Sequence, residues 1–339
     1  MSTTSSPVPL RVAIVGAGLM GRWHAQCGAT EGARIVAIVD TDRERAGLIA
    51  SRHQGCVATT DLEQAIALSD VVHVCTPTAT HGALVATALR ARRHVLVEKP
   101  LAATAAETAA LLRLAEAQNV LLCPVHQFIF QDGVRSAAAR LKTIAPVIHL
   151  DFMICSAGAT TDDDTTRDAV AFEVLPHPLS LLASLLPGLL GRMTWSAQRP
   201  SAGEIRVLGV AEEVSVAILV SMRARPTRNR LEILGARGSM RVDLFHGSVA
   251  NYGGGVSRVR KMTQPFVMAA TDTAAAAATL TRRALNRELA YPGLRRLLCE
   301  VYQAIGKGAP CPIPAADTLA VAEAGDLIAA LAGRQTFGL

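Results

Sequence analysis

Residues 11–40 constrain this chain more than any other stretch. Val12 to Val15 is a short apolar, partly β-branched run, the texture of a strand buried on both faces of a parallel sheet. It leads into Gly16-Ala-Gly18-Leu19-Met20-Gly21, the spacing G-x-G-x-x-G, and Leu19 to Thr30 then takes helical spacing. Gly16 permits a tight turn, Gly18 lets a pyrophosphate approach the backbone, and Gly21 lets helix and strand pack closely. The phosphates would meet the helix N-terminus, where unpaired N–H groups and the positive dipole end point outward. A second strand, Arg34 to Asp40, ends in a carboxylate 19 residues beyond Gly21, where a ribose 2′-hydroxyl would lie. Glycine turns alone are common; strand, glycines, helix, strand and acid in this order predict a dinucleotide site.

The 339 residues exceed one typical domain, so two are expected. Half the residues are apolar and 18% are charged, enough to bury a sizeable core. The seven cysteines form no C-x-x-C pair and several lie in apolar runs, which reads as reduced thiols in a cytoplasmic protein. Met1 to Pro9 is polar and lacks the basic and apolar regions of a signal peptide, so a disordered leader is expected at 1–9. The most apolar window, Val174 to Leu190, is broken by Pro176, Pro178 and Pro187, and no membrane span is expected. The net charge of +6 comes from scattered basic residues with few aromatics between them, which argues against a nucleic-acid surface.

From residue 10 to 125 strand and helix patterns alternate, the mark of a doubly wound parallel α/β sheet. Thr60-Asp61 reads as an N-cap, and Thr104 precedes Glu107 by three residues in capping-box order. After residue 125 strands follow one another: Val147 to Ile154, Ile205 to Val210, Val214 to Met222, Arg230 to Leu234 and Ser239 to Leu244. Gly235-Ala-Arg-Gly238 and Tyr252-Gly-Gly-Gly255 read as turns. This predicts an α+β domain over 126–312 with a large open, mostly antiparallel sheet. A last helix, within 313–339, is expected to pack back on the first domain.

Lys99 follows the strand His94 to Val97 and precedes a proline, which puts it at the carboxyl edge of the sheet, where α/β folds bind ligands. An ammonium there can hydrogen-bond a carbinol oxygen and stabilise negative charge on it. Glu98 is placed to orient that lysine or a nicotinamide ribose. Thr76 and Pro77 close another strand at the same edge and are expected to line the cofactor. His81 is expected to cap or pack the next helix, and His24 to be a packing residue. Asp162-Asp163-Asp164 reads as a solvated loop rather than a metal site. Asp40 disfavours a 2′-phosphate, so NAD is the expected cofactor; Arg43 and Arg45 offset part of that repulsion and leave NADP open.

Three segments resemble the Gfo/Idh/MocA family of oxidoreductases: Gly16-Ala-Gly-Leu-Met-Gly21-Arg-Trp-His24, Cys75-Thr-Pro-Thr-Ala-Thr-His81, and His94-Val-Leu-Val-Glu98-Lys99-Pro100. The resemblance implies an N-terminal Rossmann domain and a nicotinamide cofactor held between it and a C-terminal α/β domain. It also implies substrate on the open sheet and a homodimer or homotetramer formed through that sheet's other face. The family has Asp-x-Gly-x-His where this chain has Glu173-Val-Leu-Pro-His177; by that correspondence Glu173 contacts substrate and His177 is the acid/base. A neutral imidazole suits proton transfer near pH 7. The implied activity is hydride transfer between nicotinamide and a secondary alcohol or carbonyl of a sugar, cyclitol or related polyol. An imine or double-bond reductase and a non-catalytic dinucleotide-sensing regulator are the alternatives.

Overall fold

The computed structural model describes residues 9–156, 163–255, 257–286, 288 and 290–333. Most of the expected leader, Asp162 of the acidic run, and residues 334–339 lie outside them. The chain divides into two compact units, one of 1–126 with 294–322, the other of 127–293 with 323–339.

In the first unit the order is β1 (Arg11–Val15), α1 (Leu19–Thr30), β2 (Arg34–Val39), α2 (Arg43–Ala50), β3 (Val57–Thr59), α3 (Leu62–Leu68), β4 (Val71–Val74), α4 (His81–Arg90), β5 (His94–Val97), α5 (Ala105–Ala117) and β6 (Leu122–Pro124). The strands pair in parallel in the order β3-β2-β1-β4-β5-β6. Nearly every residue of β1, β2, β4 and β5 is buried, which is why they read as unbroken apolar runs. The helix starts are capped as their sequences suggest. Asp61 accepts from Glu63 and Gln64 N–H at 2.9 and 3.2 Å, and Thr104 accepts from Glu107 N–H at 3.1 Å. The Glu107 carboxylate reaches back to Ala103 N–H at 3.1 Å, one residue beyond the usual capping-box partner.

The second unit contains α6 (Asp132–Ile144), β7 (Val147–Cys155), α7 (Asp164–Val174), α8 (Pro176–Leu185), β8 (Thr194–Gln198), β9 (Glu204–Ala211), β10 (Val214–Ser221), β11 (Arg228–Gly235), β12 (Gly238–Asp243), β13 (Ser248–Gly253) and α9 (Arg258–Leu285). The strands form one sheet in the order β13-β12-β11-β7-β10-β9-β8, antiparallel except where β7 runs parallel to β10. The turn read at Gly235–Gly238 closes the β11–β12 hairpin. The turn read at Tyr252–Gly255 is a correction: Tyr252 and Gly253 pair with Ser239 and Gly238 as the end of an edge strand, where glycine is tolerated.

Two helices follow, α10 (Leu294–Lys307) and α11 (Ala315–Leu331). Leu294, Leu297, Leu298 and Val301 of α10 are fully buried, and the helix packs on α1. Residues 294–312 therefore group with the first unit, not with the sheet they follow in sequence. Among the described residues, no helix is long and apolar enough to cross a membrane.

Candidate active site

The carboxyl ends of β2, β1, β4, β5 and β6 bring Asp40, the glycine turn, Cys75-Thr76, Glu98-Lys99 and His126 to one edge of the parallel sheet. Strand order reverses between β1 and β4, the place where open α/β sheets form a ligand crevice. Gly16 sits at φ +100°, and a Cβ there would lie 2.5 Å from the Cys75 carbonyl oxygen. A Cβ on Gly21 would fall 1.8 Å from the Gly16 carbonyl, so α1 can approach β1 this closely only without a side chain. Gly18 differs: nothing lies within 4 Å of a Cβ built there. It is the N-cap of α1, makes no side-chain cap, and is followed by a first turn without acidic residues. Leu19 is exposed and Met20 half-buried in that turn. An open backbone at an uncapped helix start fits a pyrophosphate.

Asp40 ties the turn to the end of β2. One carboxylate oxygen accepts the Ala17 N–H at 2.6 Å and the other the Asp42 N–H at 2.9 Å. Burial pushes this carboxyl up, but the Asp42 and Ala17 amides, Arg45 and Thr41 together hold it below the usual carboxylate range. The oxygen bound to Ala17 keeps a further lone pair for a hydroxyl, while the other also accepts from the Thr41 hydroxyl at 3.5 Å. Arg43 is exposed at the start of α2, whose N-cap Asp42 accepts from Glu44 and Arg45 N–H at 3.0 Å each.

Thr76 is half-buried beside Gly16, its hydroxyl accepting from Thr80 at 2.7 Å, while Pro77 is exposed. His81 does more than pack its helix. Its ring nitrogens lie 2.8 Å from the Pro100 and Thr76 carbonyl oxygens, strapping the loop after β4 to the loop after β5. Lys99, joined to Pro100 by a cis peptide, is half-buried in the second of those loops.

His24 packs in the core and also makes polar contacts there. It is fully buried, and its Nε2 lies 3.1 Å from Glu98 Oε1 and its Nδ1 lies 3.0 Å from His73 Nδ1. His73 Nε2 in turn lies 3.2 Å from the Tyr302 hydroxyl, and Glu98 Oε2 accepts the Lys99 N–H at 3.3 Å. His126 was not singled out by sequence either. It is 3% exposed, its Nδ1 is buried without a hydrogen-bond partner, and burial pushes its pKa down to about 4, with Glu98 opposing and Lys99 assisting. The available signal was its position, directly past a strand, as Glu98 and Lys99 are past theirs.

In the second unit, Glu173 is exposed near the end of α7, and His177 is half-buried in the first turn of α8 behind Pro176. The His177 ring stacks on Phe128 at 4.3 Å between centroids and 23° between planes, which fixes its orientation. Asp168 anchors α7: it pairs with Arg199 and accepts the Gly203 N–H at 2.8 Å. Asp163 caps the same helix by accepting from Thr165 and Thr166 N–H. Among the described residues, no three His, Cys, Asp or Glu side chains are grouped to hold a metal ion.

Residues 10–126 match the family model GFO_IDH_MocA, described as an oxidoreductase family with an NAD-binding Rossmann fold. The chain is 32% identical over 134 residues to UDP-N-acetylglucosamine 3-dehydrogenase of Acidithiobacillus ferrooxidans, covering 37% of this chain and 42% of that protein. It is 42% identical over 113 residues to inositol 2-dehydrogenase 4 of Saccharopolyspora erythraea, covering 32% of each. The matched stretch thus spans less than half the length of these curated relatives. Over nearly the whole chain the fold is that of GenD2 from gentamicin A biosynthesis, solved with NAD: the TM-score is 0.75 at 23% identity, covering 98% of this chain and 97% of that one. The glycine turn, Asp40 and the Glu98-Lys99 edge all lie within residues 10–126, the stretch that matches an oxidoreductase family with an NAD-binding Rossmann fold.

Proposed function

We propose that this protein is an NAD-dependent dehydrogenase or reductase acting on a secondary alcohol or carbonyl of a sugar, cyclitol or related polyol. The observation that carries the reading is the single sheet edge that gathers the open Gly18 backbone, Asp40, Thr76, Glu98 and Lys99. The names of the relatives support the substrate class, since they include sugar-nucleotide and inositol dehydrogenases.

NAD, when bound, supplies the hydride acceptor or donor. Gly16, Gly18, Leu19, Met20 and Gly21 would hold its pyrophosphate, Asp40 and Arg43 its adenosine ribose end, and Thr76, Pro77 and Glu98 its other half. The Lys99 ammonium donates a hydrogen bond to the reacting oxygen and stabilises charge building on it. His177 takes the hydroxyl proton in oxidation and returns it in reduction. Glu173 holds a neighbouring hydroxyl; its extra methylene, relative to the Asp of the family pattern, extends the reach of that contact. We place the protein in the cytoplasm as a homodimer or homotetramer, with a small molecule as its substrate.

The test is to incubate the pure protein with NAD and a panel of polyols, inositols and nucleotide sugars and to follow NADH absorbance. Turnover of at least one polyol is expected. Tight NAD binding without turnover of any would overturn the enzyme reading in favour of a dinucleotide sensor, and the absence of NAD and NADP binding would remove the cofactor as well.

A further inference from the structure

Four polar side chains form an unbroken buried line inside the first unit: Tyr302 on α10, His73 on β4, His24 on α1 and Glu98 after β5, with successive contacts of 3.2, 3.0 and 3.1 Å. All four are at most 9% exposed. The line ends on the residue whose carboxylate also accepts the Lys99 amide. Burying four polar groups in the interior is costly unless every hydrogen bond is made, so their roles as donors and acceptors must agree.

Those roles have one consistent assignment when Glu98 is ionised and both rings are neutral. A carboxylate only accepts, so His24 carries its proton on Nε2. The bare Nδ1 of His24 then accepts, and His73 must carry its proton on Nδ1. The bare Nε2 of His73 accepts in turn from the Tyr302 hydroxyl. Burial supports this state: it pushes His73 well below the usual imidazole range, with His24 assisting, and holds the Tyr302 hydroxyl protonated. Around the line, Cys75 is kept as a thiol by burial and by Glu98, Glu31 is paired with Arg295, and Lys99 and His126 lie on the Glu98 side. Each imidazole is then gripped at both nitrogens and cannot turn.

We propose that His73 and Tyr302 are positioning residues for the reaction: acting through His24, they hold the Glu98 carboxylate in the orientation that fixes the backbone at Lys99. The proposal rests on the reading of the Glu98-Lys99 edge as the reacting end of the site.

The experiment compares the parent with His73→Leu, which removes the donor facing His24, and His73→Asn, whose side-chain amide can restore it. Side-chain 15N spectra of histidine-labelled full-length protein are expected to show His24 protonated on Nε2 and His73 on Nδ1. In the Leu variant the His24 Nδ1 resonance should move to the position of an unbonded bare nitrogen, and Asn should bring it back. In turnover assays, kcat should fall about tenfold in the Leu variant, the effect of one lost buried hydrogen bond on a positioned group, and return to within about threefold in the Asn variant. NAD affinity should stay within about threefold in both, because the glycine turn and Asp40 are untouched. The opposite tautomers in the parent, an unmoved His24 resonance in the Leu variant, or equal kcat in all three proteins would each overturn the proposal. If no polyol is turned over, the enzyme reading fails and the nitrogen spectra alone decide on the hydrogen-bonded line.

Discussion

Lys99 and Asp40 carry the sharpest expectations because each stands at a strand end with its surroundings defined. Replacing Lys99 with Ala should lower turnover at least ~100-fold, as the loss of one preorganised donor to a developing oxyanion does; a steady-state rate equal to the parent's would remove it from the mechanism. Asp40 is kept anionic by backbone amides, so a 2′-phosphate ~4 Å away would be repelled by ~4 kcal/mol at an effective dielectric of 20. Asp40→Ser should therefore raise the affinity for NADP relative to NAD by up to about three powers of ten, read by titration of both nucleotides. These residues were legible because local spacing fixes them. His24, His73 and Tyr302 were not: their contacts join residues 49 and 229 positions apart. A histidine inside an apolar strand looks like a packing residue until the element opposite it is known.

Elements of the first unit were easier to foresee than those of the second, for a physical reason. Strands covered on both faces are continuous apolar runs, and α2, α3 and α5 begin with side chains that cap their own amides. In the second unit α7 begins in an acidic run that reads as a solvated loop, although Asp163 is its N-cap, and β13 ends in glycines that mimic a turn. What holds α7 in place is distant in sequence, the pair of Asp168 with Arg199 and the Gly203 amide. Asp168→Ala should cost ~1 kcal/mol, the scale of a partly exposed ion pair, visible as a lower melting temperature. Because α7 carries Glu173, KM for the substrate should rise in the same variant; an unchanged melting curve would show that the helix is held by packing alone.

For the molecule as a whole, acid stability follows from a histidine that folding keeps neutral. His126 goes from an ordinary value of 6.5 to about 4 in the folded protein. Between those values the unfolded chain binds the proton and the folded one does not, so stability is fully present above about pH 6.5 and is lost as pH falls toward 4. The shift is on the order of 3 kcal/mol, and His73 acts in the same direction. Denaturant midpoints measured from pH 7 to 4 should fall steeply in the parent and less steeply in His126→Gln; parallel slopes would contradict the assignment.

The return of α10 to the first unit has a further bearing on how the protein is made. A ribosome delivers β1 to β6 long before Leu294 to Val301 emerge to cover α1, and Tyr302 to complete the His73 contact. Through the synthesis of the intervening residues, the nascent nucleotide-binding half carries an uncovered apolar flank and an unfinished polar line. Its maturation waits on the far end of the message, and until then that flank is open to non-native association.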